Sequence, residues 1–243
     1  MTMSRLFGLL IALILSWSTS ATAGQLVVIE SSLPALAPGQ MIDAATAVTV
    51  PDGGKLVLIS DQGTTLTLTG PFSGKPGGKM KDIKGGDGKL LTSLSKLVSG
   101  KQADMAALGT FRSGPSNLFP PLWSVNVQRS GRHCLPPSEP AKLWRPKSDG
   151  AANLRVKPLP LGDALRVTWP AGDQQMDWPE TVLPSKDGSR YLVRLEDRPS
   201  AARVEFKRLP GDLPSRIHQA AWMADHGCGN QALTLLSSIT GSP

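Results

Sequence analysis

Glycine and proline interrupt this chain at short intervals, and this punctuation favours short elements over long helices. The 243 residues include 25 glycines and 21 prolines, while aromatic residues make up only 5%. Such a composition is typical of many short strands joined by turns. The hydrophobic share of 40% is that of a folded chain. The sequence therefore predicts a mainly β protein.

Residues 24–74 are predicted to form a small antiparallel β unit. The predicted strands are 26–29, 47–50, 55–60 and 64–69. The last two are separated by residues 61–63, which end in a glycine that tolerates the positive φ of a short hairpin connection. Leu66 and Leu68 alternate with threonines, so this strand is expected to have one buried face and one solvent face.

Three motifs in this unit resemble the FecR-type periplasmic β domain of Gram-negative bacteria. They are residues 38–40 (Pro-Gly-Gln), 50–56 (Val-Pro-Asp-Gly-Gly-Lys-Leu) and 67–71 (Thr-Leu-Thr-Gly-Pro). The resemblance covers residues 25–74. It implies a small periplasmic sheet that senses or transmits a signal between partner proteins. Transmembrane regulators of the family carry a cytoplasmic part and a membrane helix before this domain, and neither is recognisable in this sequence.

A glycine- and lysine-rich linker with one amphipathic helix is predicted over residues 75–110. The alternation of lysine and glycine up to Lys89 is typical of a solvated linker. Apolar residues then recur at helical spacing, and Gly100 is expected to end the helix. These apolar residues are Leu90, Leu91, Leu94, Leu97 and Val98. Their stripe is expected to dock on a neighbouring domain.

Residues 111–211 are predicted to form an immunoglobulin-like β-sandwich. Strand patterns return there at regular spacing, with glycines in the gaps. The predicted strands are 123–129, 152–157, 164–169, 190–195 and 202–209. In the last strand, charged residues alternate with apolar ones, so the side that carries Arg203, Glu205 and Lys207 is expected to face solvent.

A helical hairpin over residues 212–243 closes the predicted fold. Ser215 is expected to cap the first helix, and residues 227–229, with two glycines, end it. Asn230 is expected to cap the second helix.

The two cysteines, Cys134 and Cys228, are predicted to form a disulfide that fastens this hairpin to the sandwich. They are the only cysteines and lie 94 residues apart. An oxidising compartment favours their pairing. The alternative is a zinc site that His133 and His226 would complete, because thiolates and imidazoles are the usual zinc ligands. We assign no metal, since the spacing lacks the close cysteine pairs of zinc motifs.

Two further groups of residues leave a choice between a structural and a functional role. Three tryptophans, each followed within two residues by proline, are expected to cover the sandwich core, and a binding platform is the alternative. They are Trp144, Trp169 and Trp178. Asp173, Asp177 and Glu180 lie close in sequence to two of them, as in glycan-cleaving sites, but the same cluster fits a loop.

Residues 1–23 have the layout of a secretory signal peptide. Arg5 gives a positive start, residues 6–15 are apolar and uncharged, and small residues precede a cleavage site between Ala23 and Gly24. The apolar run is about half as long as a membrane-spanning helix. We therefore expect a periplasmic chain with no integral membrane segment after cleavage.

The charge of the chain narrows the classes of partner. The formal net charge is +7, and cleavage would leave 25 basic and 19 acidic residues. An exported protein does not readily meet nucleic acid. The partners that its basic charge could attract are therefore anionic lipid or polyanionic glycan. The favoured explanation of this net charge is that it keeps the protein soluble.

The sequence therefore predicts a non-catalytic periplasmic interaction or sensing module. Its partner is expected to be a protein of the cell envelope that the sequence does not identify. A membrane protein that takes part in envelope signalling would be one such partner. No cofactor and no catalytic residue are assigned. The alternative is a hydrolase that acts on cell-wall glycan or peptide.

Overall fold

Short strands separated by turns make up most of the protein, so the predicted mainly β class is correct. The computed structural model describes residues 24–80, 88–108, 120–146 and 149–241, and these contain fourteen strands and three α-helices. The predicted signal peptide, residues 81–87 of the linker and residues 111–119 of the predicted sandwich lie outside the described residues.

The first β unit combines a four-stranded sheet with a two-stranded one. Its strands are β1 (Gln25–Ser31), β2 (Met41–Asp43), β3 (Val48–Val50), β4 (Lys55–Ser60), β5 (Thr65–Thr69) and β6 (Phe72–Gly74). The larger sheet is antiparallel with the order β2-β1-β4-β5, and β3 pairs with β6. A 3₁₀ turn at Pro76–Lys79 follows, so the start of the expected linker is ordered structure.

Both faces of β1 and β4 are buried, which explains why these strands are apolar without alternation. Leu26 lies in a core shared with β3, while Val27 and Ile59 face the helices on the other side. In β5, Leu68 is buried and Thr67 is exposed, as the alternation predicts.

Three helices form a layer against the second face of this sheet. They are α1 (Lys89–Leu108), α2 (Arg216–Asp225) and α3 (Gly229–Thr240). As expected, the apolar stripe of α1 docks, with Leu91 and Leu94 among its fully buried residues. The expected end at Gly100 is wrong, because one helical glycine costs only about 1 kcal/mol. Good helix formers follow that glycine and extend the helix.

The ends of the helical hairpin agree with the sequence at one cap and differ at the other. The Ser215 hydroxyl accepts a hydrogen bond from the His218 backbone N–H, as an N-cap does. The second helix begins two residues early, with Cys228 rather than Asn230 at its N-cap. The chain reverses at Gly227, where φ is 82°.

The second β unit contains two sheets. Its strands are β7 (Ser124–Asn126), β8 (Gly131–Leu135), β9 (Lys142–Trp144), β10 (Ala152–Pro158), β11 (Leu165–Trp169), β12 (Gln175–Asp177), β13 (Arg190–Leu195) and β14 (Ala202–Arg208). Five strands form one sheet in the order β11-β10-β13-β14-β8, and three form the other in the order β12-β9-β7. The pairs β8–β14 and β7–β9 are parallel.

The two sheets of the second unit enclose one hydrophobic core. Trp178 lies within it, with its ring 4.9 Å from the rings of both Tyr191 and Phe206. The sequence did not predict β8, β9 or β12, because three of the five residues of β8 are not apolar and the other two strands are too short to alternate. The predicted strand at 123–129 is shorter, since only β7 pairs there.

The helical hairpin joins the two β units. On one side, Ile217 and Leu236 pack with α1 and the first sheet. On the other side, Met223 and Leu235 pack around Cys134 of β8. The Gln231 side chain accepts a hydrogen bond from the Cys134 backbone N–H at 2.8 Å and donates one to the Cys134 carbonyl at 2.9 Å. One amide thus satisfies both backbone groups of an edge-strand residue.

We predict that the helical layer stabilises the whole chain. Leu94→Ala should lower the free energy of unfolding by about 2 to 5 kcal/mol, because Leu94 is fully buried between the sheet and the hairpin. Lys96→Ala, at an exposed position of the same helix, should change it by less than about 0.5 kcal/mol. Urea denaturation measures both. Equal, small effects would show that α1 is not packed as described.

Candidate interaction surface

The outer face of the five-stranded sheet is densely basic. In β10, β11, β13 and β14, apolar residues alternate with polar ones, so the apolar set fills the core and the polar set faces outward. We call this outward set the arginine face. Its basic members are Arg132, Arg155, Lys157, Arg166, Arg190, Arg194, Arg203 and Lys207.

The strand register places like charges of this face directly opposite one another. Arg155 of β10 lies opposite Arg166 of β11 on one side and opposite Arg194 of β13 on the other. In the next row, Leu192 separates Lys157 from Arg203. Like charges directly opposite each other destabilise a sheet. The protein therefore carries an electrostatic cost on this face.

Two carboxylates make ion pairs on the arginine face. Glu205 of β14 lies 3.5 Å from Arg132 and 3.3 Å from Lys207. Glu196, which directly follows β13, lies 3.2 Å from Arg166. Within the part of the chain that the structure describes, five cations of the arginine face have no ion pair, although one of them, Arg190, lies opposite Glu205 in the strand register. They are Arg155, Lys157, Arg190, Arg194 and Arg203.

The sequence indicated one strand of this face but not the face itself. The solvent side of β14, with Arg203, Glu205 and Lys207, was predicted from alternation. The same alternation is present in β10 and β13, where basic residues occupy every outward position but Asn153 and Leu192. What a single strand does not show is that β10 lies between β11 and β13.

The three tryptophans belong to the core, so the alternative of a binding platform is wrong. Trp144 and Trp178 are each 3% exposed and Trp169 is fully buried. The Trp169 Nε1–H donates to the Asp173 carbonyl at 3.0 Å. The Arg145 guanidinium lies 5.0 Å from the Trp169 ring and closes that end of the core.

The three carboxylates near the tryptophans have separate roles. Asp173 contributes its backbone carbonyl, and Asp177 lies exposed on β12 opposite Lys142. Glu180 accepts hydrogen bonds from the backbone N–H groups of Ala141 and Ser185 and from the Ser185 hydroxyl.

These hydrogen bonds determine the charge of Glu180. Partial burial acts to raise the pKa of its carboxyl, but the bonds from Ser185 and Ala141, together with the Arg208 guanidinium, outweigh burial and hold that pKa below its usual range. Glu180 is therefore ionised near neutral pH. It binds two loops together beside a cleft of about 510 Å³, and it lacks the raised pKa of a general acid.

For the cluster of two cysteines and two histidines, the structure supports the disulfide rather than the zinc site. Cys134 and Cys228 are joined at disulfide distance, with their Cα atoms 5.9 Å apart. The His226 ring stacks on Trp222 at 3.7 Å, and its Nδ1 lies 2.7 Å from the Trp222 carbonyl oxygen. Among residues 24–80, 88–108, 120–146 and 149–241, no group of His, Cys, Asp and Glu could hold a metal ion.

His133 lies at the edge of a second cleft, of about 750 Å³, between β7, β8 and the turn that joins α2 to α3. Its Nε2 atom is enclosed and has no hydrogen-bond partner among the described residues. Burial lowers the pKa of His133 to about 4, although a hydrogen bond with the Arg129 backbone opposes this shift.

No helix in the described part of the chain is both long and apolar enough to cross a membrane. Comparison with models of protein families, with curated proteins and with solved structures found no match to this chain.

We predict that His133 makes the fold sensitive to mild acid. The unfolded chain binds a proton at the ordinary histidine pKa of about 6.5, whereas folded His133 resists it until about pH 4. The stability that neutral His133 contributes to the folded protein is therefore complete above pH 6.5 and is lost as the pH falls below that value. Between pH 6.5 and 4.5 the free energy of unfolding should drop by about 2 kcal/mol through this residue.

Urea denaturation of the disulfide-bonded protein measures this slope. His133→Gln, which cannot take up the proton, should flatten the pH dependence by that amount, while the other two histidines stay in place in both proteins. Equal slopes for the two proteins would contradict the assignment.

Proposed function

We propose that this protein is an exported, non-catalytic interaction module of the cell envelope that binds its partner through the arginine face. The single observation that carries the proposal is the row formed by Arg166, Arg155 and Arg194 across three neighbouring strands, in which only Arg166 has an ion-pair partner. A sheet has no structural use for such a row, because opposite charges would stabilise it better. An anionic partner would supply the missing countercharge.

The proposal extends to the compartment and to the two β units. The signal-peptide layout of residues 1–23 and a cysteine pair at disulfide distance support export to the periplasm. We propose a FecR-like domain for residues 24–74 and an immunoglobulin-like sandwich for the second unit. Two sheets around one core with a central tryptophan support the latter. The alternative of a hydrolase gains no support, because the carboxylates of Asp173, Asp177 and Glu180 have separate roles.

Cell fractionation tests the proposal with a charge-matched pair of variants. The face variant carries Arg155→Gln, Arg194→Gln and Arg203→Gln, which leaves no carboxylate without its ion-pair partner. The control variant carries Lys75→Gln, Lys79→Gln and Lys142→Gln, three exposed changes away from the face. Both variants lose the same charge.

The wild-type protein expressed in a Gram-negative host should begin at Gly24 and sediment with the envelope fraction. High salt should release it, because exposed charges are screened. The control variant should behave like the wild type, and the face variant should remain soluble in the periplasm. The proposal fails if the wild type does not associate with the envelope or if both variants lose association equally.

A further inference from the structure

We propose that the ligand of the arginine face is an anionic glycan, a sugar chain that bears carboxylate or phosphate groups. The inference rests on the proposed function, since it names the partner of the same surface. It is drawn from the spacing of the cations and from the residue types that this face has and lacks.

The cations of the face form a lattice with two short repeats. Neighbouring strands are about 4.8 Å apart, and outward positions along one strand are about 7 Å apart. A linear polyanion laid across the sheet would meet Arg166, Arg155 and Arg194 in turn. Guanidinium groups bind carboxylate and phosphate oxygens through paired N–H donors.

An acidic protein surface fits this face less well. Protein interfaces place apolar and aromatic anchors at their centre, whereas the only large apolar residue on the arginine face is the half-buried Leu192. Among the described residues, the exposed large apolar side chains are Met41, Leu161 and Val182, and none of them belongs to these outward positions. The same lack of apolar anchors weakens binding to a flat membrane, because there buried apolar area adds to the electrostatic attraction.

The arginine face also lacks the aromatic side chains that binding of a single-stranded nucleic acid requires. Proteins that bind single strands stack the bases on aromatic side chains. Every aromatic residue of these five strands points into the core: Trp169, Tyr191 and Phe206 are all buried. Neutral sugars would lack a stacking platform too, so the sugar chain must carry charge.

Polar groups for the sugar hydroxyls lie beside the arginine row. Asn153 and Thr168 occupy the next outward positions on β10 and β11, and their side-chain oxygens lie 3.4 Å apart. Both side chains are exposed. An amide and a hydroxyl at the end of a cationic row offer donors and acceptors that a purely ionic surface would not.

Direct binding of the protein purified from the periplasm tests the inference. Polygalacturonate, with a carboxylate on each sugar, is the probe, and dextran is its uncharged counterpart. Poly-L-glutamate, oligo(dT) and vesicles of anionic phospholipid represent an acidic protein, a nucleic acid and a membrane. Dissociation constants are measured at about 50 mM and 200 mM salt, because ionic binding weakens steeply over that range.

We expect polygalacturonate to bind more tightly than the three other anionic probes, and dextran not to bind. The face variant should lose affinity for polygalacturonate by a factor on the order of 100, and the control variant by less than about threefold. Tighter binding of poly-L-glutamate, oligo(dT) or vesicles would overturn the inference, and so would equal losses in the two variants. If the envelope association depends on the face but polygalacturonate does not bind, the proposed function stands and the glycan is wrong.

Discussion

The pleat of the five-stranded sheet is the constraint on which the rest of this structure depends. Because successive side chains point to opposite faces, the apolar residues that enclose Trp178 force their neighbours in sequence outward. Val156 and Val193 face the core, so Arg155 and Arg194 must face solvent on adjacent strands. The same alternation that stabilises the core therefore creates the row of like charges. A register shift of one residue would reverse both faces at once.

The helical hairpin fixes this sheet within the whole molecule. It packs against the first β unit through α1 and against β8 through Cys134, Cys228 and Gln231. Joining Cys134 to Cys228 closes a loop of 94 residues, which contributes on the order of 4 to 5 kcal/mol in the chain-entropy account. The hairpin covers the β8 end of the outer face and leaves the arginine row open to solvent.

Whether a feature of this fold could be predicted depends on how far apart in the sequence the residues that determine it lie. The hairpin of β4 and β5, the strand β13 and the cap at Ser215 each depend on a few consecutive residues, and the sequence predicted them. β9 and β12 have three residues each, so their pairing depends on distant partners. The helix continues through Gly100 because the good helix formers that follow outweigh the cost of one glycine, so a local stop signal was misleading there. The arginine face was not predictable, since it depends on the strand order β11-β10-β13.

The central claim is that Arg155 is placed for binding at a cost to the fold, and the stability of Arg155→Gln tests it most directly. Glutamine keeps part of the aliphatic stem and removes the charge that faces Arg166 and Arg194. At low salt the variant should be more stable than the wild type by about 0.5 kcal/mol. The difference should vanish near 1 M salt, where charges are screened within about 3 Å. A variant less stable than the wild type at low salt would contradict the account.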